Sequence, residues 1–255
     1  MKELIKLWEK TKMVVLVAIS AGLYAAILIP FKMIQIIPGI TELRPGVCIP
    51  IVCSLFFGPA AAWGSAIGNI VADFAGQFGP GSFFGIIGNF LYGYLPYRIW
   101  RKYKVRTSKK ISTVNDYFFL ICVVILASAV CASTISWGLH LIGLPFYSVA
   151  WIIFFNNVIF GALLVPILCN WLDDRVYAWH LNYEDIIPAN QFSGQRFSTF
   201  ILILLVVFIF LSFVIGYLPL LSKISHYFDG YNYLFNSPFI PIVFIILTVI
   251  LSLLI

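Results

Sequence analysis

Long apolar runs recur along the whole chain, and they constrain its fold more than any other feature. A membrane-spanning helix needs about 20 consecutive, mostly apolar residues, and runs near that length begin at residue 13 and continue to residue 255. Hydrophobic residues make up 62% of the chain and charged residues 10%, whereas a soluble domain carries about 25% charged residues. The mean hydropathy is +1.00. Because the period-2 alternation of a membrane barrel is absent, the sequence predicts an all-α polytopic membrane protein.

The apolar segments and the charges between them predict a topology. Eight spans are expected, at residues 13–30, 47–57, 59–76, 83–100, 117–138, 148–171, 197–218 and 237–255. The second is short for a full span, so we expect a tilted helix or a half-helix broken at Pro50. Thirteen Lys and Arg residues fall in residues 1–12, 98–110 and 173–196, and only Lys32, Arg44 and Lys223 fall on the other side. Since positive residues concentrate on the cytoplasmic side, both termini are predicted to be cytoplasmic.

This topology divides the chain and limits its chemistry. Residues 1–171 are predicted to form a membrane-embedded core, residues 172–196 a cytoplasmic loop, and residues 197–255 two additional transmembrane helices. The five cysteines lie in apolar segments without metal-ligand spacing, so no metal or cofactor is predicted. The net charge of +6 follows from the positive-inside rule and indicates no nucleic-acid partner. The sequence contains no nucleotide-binding motif, so ATP hydrolysis would belong to partner subunits.

Polar residues inside the predicted spans mark a candidate site. Asn69, Asp73 and Gln77 are spaced at i, i+4 and i+8, so they share one helical face, and a carboxyl group within a membrane span indicates a functional site. With the predicted topology, the strongly polar groups collect in the outer half of the membrane, as in a cup that is open to the outside. The predicted substrate-binding residues are Glu42, Arg44, Asn69, Asp73, Gln77, Asn89, Trp137, His140 and Asn156.

Structural roles remain open for several of these residues. Amide side chains such as Asn69 and Asn89 often form hydrogen bonds between membrane helices. Asp73 and Arg44 are candidates for a structural ion pair. Trp137 lies where aromatic belts occur, and His140 lies near the end of a span.

Small residues form two adjacent faces on the first predicted span. Ala18, Gly22 and Ala26 repeat every four residues, as do Ala21 and Ala25. Such small-xxx-small faces allow the backbones of two membrane helices to approach closely. The pattern indicates either packing inside the molecule or a docking surface for another membrane subunit.

Three stretches carry a resemblance to a known family: Arg44-Pro45-Gly46, Phe57-Gly58-Pro59 and the run from Gly68 to Asp73. Together with the alanine-rich first helix and the polar outer cup, they resemble the substrate-binding S-components of energy-coupling factor (ECF) vitamin transporters over about residues 10–171. The resemblance implies a six-helix core, to which residues 197–255 would add two helices. It also implies that the five small residues of the first span contact the membrane coupling subunit, and that Glu42, Arg44, Asp73 and Asn89 contribute to the ligand cup.

The leading hypothesis is therefore a non-enzymatic, substrate-binding subunit in the bacterial plasma membrane. It would capture a vitamin-like metabolite from outside and work with a coupling subunit and two ATPase subunits, surrounded by membrane lipids. Cobalamin, queuosine precursors, folate-like and thiamine-like ligands all remain open. One alternative is a stand-alone, ion-coupled secondary transporter with Asp73 as the coupling site. A third is an intramembrane enzyme that uses Asp73 and His140 as acid and base.

Overall fold

Helices make up most of the described chain. The computed structural model describes residues 2–37, 41–76, 78–104, 108–187, 199–224 and 237–255. The helices are α1 (Lys2–Lys6), α2 (Thr11–Phe31), α3 (Cys48–Phe57), α4 (Pro59–Phe74), α5 (Gly81–Tyr103), α6 (Val114–Leu141), α7 (Phe146–Ala178), α8 (Tyr183–Ile186), α9 (Thr199–Ile224) and α10 (Phe239–Leu254). Two short strands, β1 (Gln35–Ile37) and β2 (Thr41–Glu42), pair antiparallel between α2 and α3. A helix covers each of the eight predicted apolar segments, and α7 runs past the predicted core boundary at residue 171 to Ala178.

Helix length separates full spans from shorter elements. Within the described residues, four segments are long and apolar enough to cross a bilayer, namely Thr11–Phe31, Val114–Leu141, Phe146–Ile186 and Thr199–Leu220. At 1.5 Å per residue, the 10 residues of α3 extend only about 15 Å, half the hydrocarbon thickness of about 30 Å. The chain is thus an all-α polytopic membrane protein in which α3 is too short to cross by itself.

Gly58 forms the sharp corner between α3 and α4. Its φ of +54° lies in a region that residues with a Cβ atom rarely adopt. A Cβ atom at this position would also lie 2.6 Å from the ring of Tyr183. Pro50 falls in the first turn of α3, where backbone N–H groups have no helical partner. The helix therefore continues through Pro50, and the predicted break at that residue is wrong; the chain breaks at Gly58 instead.

The short α3 places the preceding loop deep in the bundle. From Gly58, α3 and the 3₁₀ turn Pro45–Val47 rise about 20 Å. Along α4, the positions of Asn69 and Asp73 lie about 16–22 Å from the same corner. Glu42 and Arg44 thus reach the height of these two residues. Irregular backbone at membrane depth is tolerated where protein encloses it or where it lines a cavity.

Small residues let α2 and α4 approach each other closely. A Cβ atom on Gly64 would lie 2.4 Å from the Cβ atom of Ser20. One on Gly68 would lie 2.7 Å from the carbonyl oxygen of Ala21 and 3.0 Å from the Cβ atom of Tyr24. Close backbone approach of this kind is typical of packed membrane helices, and it fixes the position of α4 against α2.

The helices α9 and α10 are packed against the remainder of the bundle through a polar and aromatic seam. The Trp137 indole N–H donates a hydrogen bond to Ser212 Oγ at 2.8 Å. The Ser212 and Ser133 hydroxyl groups also share a hydrogen bond, with 2.7 Å between the oxygen atoms. The Trp137 ring stacks on Phe244 with 5.0 Å between centroids. Hydrogen bonds between buried hydroxyl and indole groups hold α9 to α6, and ring stacking holds α10 to α6.

Candidate functional site

A polar cavity lies where the ends of α2, α4 and α5 meet the loop before α3. Its volume is about 200 Å³. Its polar wall consists of Lys32, Glu42, Arg44, Asn69, Asp73 and Ser82, and its apolar wall includes Ile135, Leu139, Ile142, Leu144 and Ile153. The structure therefore brings Glu42, Arg44, Asn69 and Asp73 together, although they come from two separate parts of the sequence.

Four buried charges of alternating sign form a chain along this cavity. Lys32 Nζ lies 2.8 Å from Asp73 Oδ1 and 3.3 Å from Glu42 Oε1. Arg44 Nε lies 3.3 Å from the same Glu42 oxygen. All four residues are less than 10% exposed. Because charges that leave water must be compensated, the two cations and two anions stabilise one another and give the cluster no net charge.

Asn69 connects the two ends of this charge chain. Its Oδ1 accepts a hydrogen bond from Arg44 Nη2 at 2.5 Å, and its Nδ2 donates to Asp73 Oδ2 at 3.1 Å. The i, i+4 spacing of Asn69 and Asp73 puts both side chains on the cavity face of α4, as the sequence predicts. The amide supplies both an acceptor and a donor, so it orients a cation and an anion at once.

A second polar layer lies beneath the cavity. The Tyr24 hydroxyl donates to Asn89 Oδ1 at 2.7 Å and accepts a hydrogen bond from Arg44 Nη2 at 3.5 Å. Asn89 Nδ2 donates to the Gly85 carbonyl at 2.9 Å. Asn89 is 2% exposed and does not line the cavity. Asn89 therefore contacts the site through Tyr24. The Tyr24 hydroxyl in turn helps to position the Arg44 guanidinium on the side away from the cavity.

Asn156 holds the loop that carries two of the charges. Its Nδ2 donates to the Glu42 carbonyl at 2.8 Å, and its Oδ1 accepts from the Arg44 backbone N–H at 3.2 Å. Both amide functions are therefore used on the loop backbone. Asn156, on α7, fixes the height of Glu42 and Arg44 and leaves their side chains directed to the cavity.

Trp137 and His140 are not brought to this cavity. The α6 residues that line it are Ile135, Leu139 and Ile142, spaced at i, i+4 and i+7 along one face. Trp137 falls on the opposite face, toward α9 and α10. His140 packs edge-on against Trp137 at 5.6 Å between centroids and borders a separate cavity of about 360 Å³. Gln77 lies outside the described residues.

Sequence reasoning missed two members of the site, Lys32 and Tyr24. The sequence indicates Lys32 only as one of three positive residues on the outer side, whereas the structure buries it to 6% exposure against Asp73. Arg44 is the candidate ion-pair partner of Asp73 in the structural alternative that the sequence leaves open, and the observed cation is Lys32. A signal was present: Lys32 follows the first span and Asp73 ends the third, so opposite charges lie at neighbouring helix ends. No comparable pattern in the sequence marks Tyr24 as a residue of the site.

The two small faces of α2 have different environments. Ala21 and Ala25 are buried, at 8% and 5% exposure, and Ala21 packs against Gly68 of α4. Ala18, Gly22 and Ala26 are exposed, and no atom lies within 4 Å of a Cβ atom built on Gly22. One face therefore serves internal packing and the other faces outward.

Comparison with protein families gives a match. A family model described as QueT transporter matches residues 14–174. No curated protein and no solved structure matches the chain. The matched residues include most of α2, all of α3 to α6, most of α7 and every residue of the polar cavity. The helices α9 and α10 follow the matched region.

Proposed function

Because the chain belongs to the QueT transporter family, whose members are S-components of ECF transporters, we propose that it is a substrate-binding subunit for uptake of a queuosine precursor. The chain is a transporter protein and not an enzyme. In the proposed assembly it captures the ligand from outside, and a membrane coupling subunit with two ATPase subunits drives release to the cytoplasm.

The buried charge cluster is the observation that carries this proposal. Four charged groups and Asn69 converge on one cavity. Charged groups inside a membrane protein are costly to bury, so their convergence indicates a functional site. A volume of about 200 Å³ is below the range of about 300–1,000 Å³ typical of drug-sized pockets. That size favours a single planar, purine-like base over a ligand as large as cobalamin or folate.

Binding in this cavity is an exchange of partners. A ligand N–H donor that reaches Asp73 replaces Lys32, and Lys32 keeps Glu42 as a counter-ion at 3.3 Å. A ligand carbonyl in turn accepts a hydrogen bond from Arg44, which retains Asn69. The cluster thus offers acceptors and donors to a ligand, and Asp73 keeps the hydrogen bond from Asn69 when Lys32 is displaced.

The outward face of α2 is the proposed docking surface for the coupling subunit. Ala18, Gly22 and Ala26 present a shallow surface on which a second membrane helix can approach closely. Ala21 and Ala25, which the sequence also assigned to this contact, are used inside the bundle. The proposed docking surface is accordingly narrower than the one predicted.

The proposed orientation places the polar cavity at the outer side of the bacterial plasma membrane. The distribution of Lys and Arg supports cytoplasmic termini, with α2–α7 as the six-helix core and α9 and α10 as two further spans. Lys109 and Lys110 of the basic segment then lie at the cytoplasmic end, beside Asp173 and Asp174.

The test is a comparison of ligand retention between wild type and Asp73→Asn. We expect mass spectrometry of the purified wild type to detect a bound queuosine precursor. Loss of a hydrogen bond to a charged acceptor costs about 1.5–3 kcal/mol, so Asp73→Asn is expected to weaken binding by about 10- to 100-fold. Asp174→Asn, which changes an exposed carboxylate in the Lys110 pair, serves as the matched control. Equal retention of the ligand by all three proteins would show that Asp73 does not contribute to the binding site.

A further inference from the structure

A second, apolar site lies between α9 and the bundle. The groove has a volume of about 830 Å³. Residues from α5, α6, α7 and α9 line it, among them Tyr103, Phe119, Ala129, Leu202, Phe210 and Tyr217. Its walls are almost wholly apolar, and exposed members such as Phe210 and Ile125 show that it opens at the surface of the bundle.

The groove follows α9 for much of the membrane thickness. From Leu202 to Tyr217 the helix rises about 22 Å, compared with about 15 Å for one leaflet of the hydrocarbon core. α9 is fastened at both ends of this stretch. Tyr217 donates a hydrogen bond to the Tyr147 carbonyl at 3.1 Å, and Lys102 Nζ donates to Thr199 Oγ1 at 3.1 Å. The space between these contacts is a long apolar slot open to the bilayer.

Positive charge lies at one end of the slot. Tyr103 and Phe119 form the wall at that end. Lys102 Nζ lies 5.0 Å from the Tyr103 ring centroid. Lys104 Nζ lies 5.5 Å from the Phe119 ring centroid, where it already forms an ion pair with the Asp116 carboxylate. Basic groups at the mouth of a cleft between membrane helices are typical of sites for anionic lipid headgroups. An apolar slot with a basic mouth therefore matches an amphiphile that has an acyl chain and a phosphate.

We propose that this groove binds one anionic phospholipid, with an acyl chain along α9 and its phosphate beside Lys102. Lys102 bridges to Thr199 at the start of α9, so the phosphate sits where α9 meets α5. The acyl chain fills the slot and supplies packing contacts between α9 and the α6–α7 pair. The bound lipid thereby stabilises the attachment of α9 to the core.

Native mass spectrometry tests this site with the full chain in nanodiscs that contain equal amounts of phosphatidylglycerol and phosphatidylcholine. We expect wild type to retain one phosphatidylglycerol molecule. A Lys near an anionic lipid surface contributes about 1 kcal/mol, so Lys102→Gln is expected to lower the preference for phosphatidylglycerol about fivefold. Lys110→Gln, a charge change at a surface ion pair with Asp174, is expected to leave the preference unchanged.

A second pair of variants tests the acyl-chain slot. Ala129→Trp places a large side chain in the groove and is expected to abolish retention of the lipid. Leu163→Trp, on the exposed surface of α7, is the matched control and is expected to retain it. Equal retention of both lipids would assign the groove to bulk lipid, and a lipid-free dimer in the spectrum would assign it to a second copy of the chain. Either result, or retention unaffected by Ala129→Trp, overturns the proposal.

Discussion

Lys32 and Asp73 determine how the polar site tolerates substitution. Each is buried, and their side chains meet at 2.8 Å in a region from which solvent is largely excluded. Breaking a buried ion pair costs more than the pair contributes, because the remaining charge loses its partner in a medium of low dielectric constant. Removal of both partners leaves no such charge. The two residues are therefore expected to behave as a unit.

The first prediction is that Asp73→Asn lowers thermal stability and that a second change restores it. Loss of one partner of a buried pair costs about 3–5 kcal/mol, reduced here by the contact of Lys32 with Glu42 at 3.3 Å. Asp73→Asn combined with Lys32→Met is expected to regain most of the loss. Thermal unfolding of the purified, ligand-free variants in detergent measures both effects.

The exposed pair of Lys110 and Asp174, at 2.7 Å, is the control for this cycle. Surface ion pairs contribute about 0–1 kcal/mol, so Asp174→Asn is expected to change stability little. Rescue of Asp73→Asn by Arg44→Gln rather than by Lys32→Met would contradict the pairing of Asp73 with Lys32. It would support Arg44 as the partner of Asp73, the candidate ion pair suggested by the sequence.

Sequence patterns identified some members of the site and missed others for a physical reason. Asn69 and Asp73 were found because i, i+4 spacing within one helix is a local property. The position of Trp137 required the rotation of α6 about its axis, and that rotation depends on packing against α9 and α10. The contact between Lys32 and Asp73 required the relative heights of α2 and α4. Both are tertiary quantities that no local pattern contains.

At the scale of whole elements, α2 combines three roles. Its inner face carries Tyr24 of the polar site and Ala21 of the α2–α4 contact, its end carries Lys32, and its outer face is exposed around Gly22. The sequence predicted small faces on this helix, but their division into an internal and an external face depends on where α4 packs.

This division gives a prediction for transport. Gly22→Leu adds bulk to the outer face, so we expect ATP-dependent uptake to be lost while ligand binding by the isolated protein stays near that of wild type. Ala21→Leu also adds bulk, in this case where Gly68 approaches, and overpacking of this kind costs about 1–3 kcal/mol. We expect lower thermal stability and weaker binding in that variant. Uptake and binding assays on both variants, in membranes and in detergent respectively, separate the two faces.

The opposite pattern would reverse the assignment of the faces. If Gly22→Leu impairs binding as much as uptake, the outer face supports the fold and does not serve a partner. A Cβ atom on Gly68 would lie only 2.7 Å from the Ala21 carbonyl oxygen, which indicates a tight contact between α2 and α4. If Ala21→Leu leaves stability and binding intact, that contact is looser than this distance indicates.

The corner between α3 and α4 gives a third prediction, about stability. Gly58→Ala forces a residue with a Cβ atom into φ near +54°, which costs about 1–3 kcal/mol, and directs that atom toward Tyr183 at 2.6 Å. A lower unfolding temperature is expected, together with weaker ligand binding, because α3 sets the height of Glu42 and Arg44. Gly22→Ala is the control, since it lies within a helix with open space around it and is expected to stabilise by about 0.5–1 kcal/mol. Unchanged stability in Gly58→Ala would show that the corner relaxes without cost.

At the scale of the whole molecule, the charged groups of the polar cavity and those of the basic segment before α6 lie at opposite ends of the bundle. One end holds the cavity with Lys32 and Asp73. At the other end, α7 fixes the basic segment before α6: Asp173 accepts a hydrogen bond from the Lys109 backbone N–H at 2.6 Å, and Asp174 pairs with Lys110 at 2.7 Å. The sequence predicted this separation from charge counts alone, because the positive-inside rule needs no tertiary information.

The orientation of this bundle is the last prediction. Phe78 is 59% exposed and lies in the turn beside the cavity, and Lys110 is exposed at the opposite end. The described native thiols are buried except for Cys122, so one new cysteine, at position 78 or at position 110, is introduced in a Cys122→Ser background that keeps the four buried thiols. A membrane-impermeant maleimide applied to intact cells is expected to label Phe78→Cys and not Lys110→Cys, and permeabilisation is expected to expose the second site. Labelling of Lys110→Cys alone in intact cells would show that the protein has the opposite orientation in the membrane. The cavity would then face the cytoplasm, where it could not capture an external ligand.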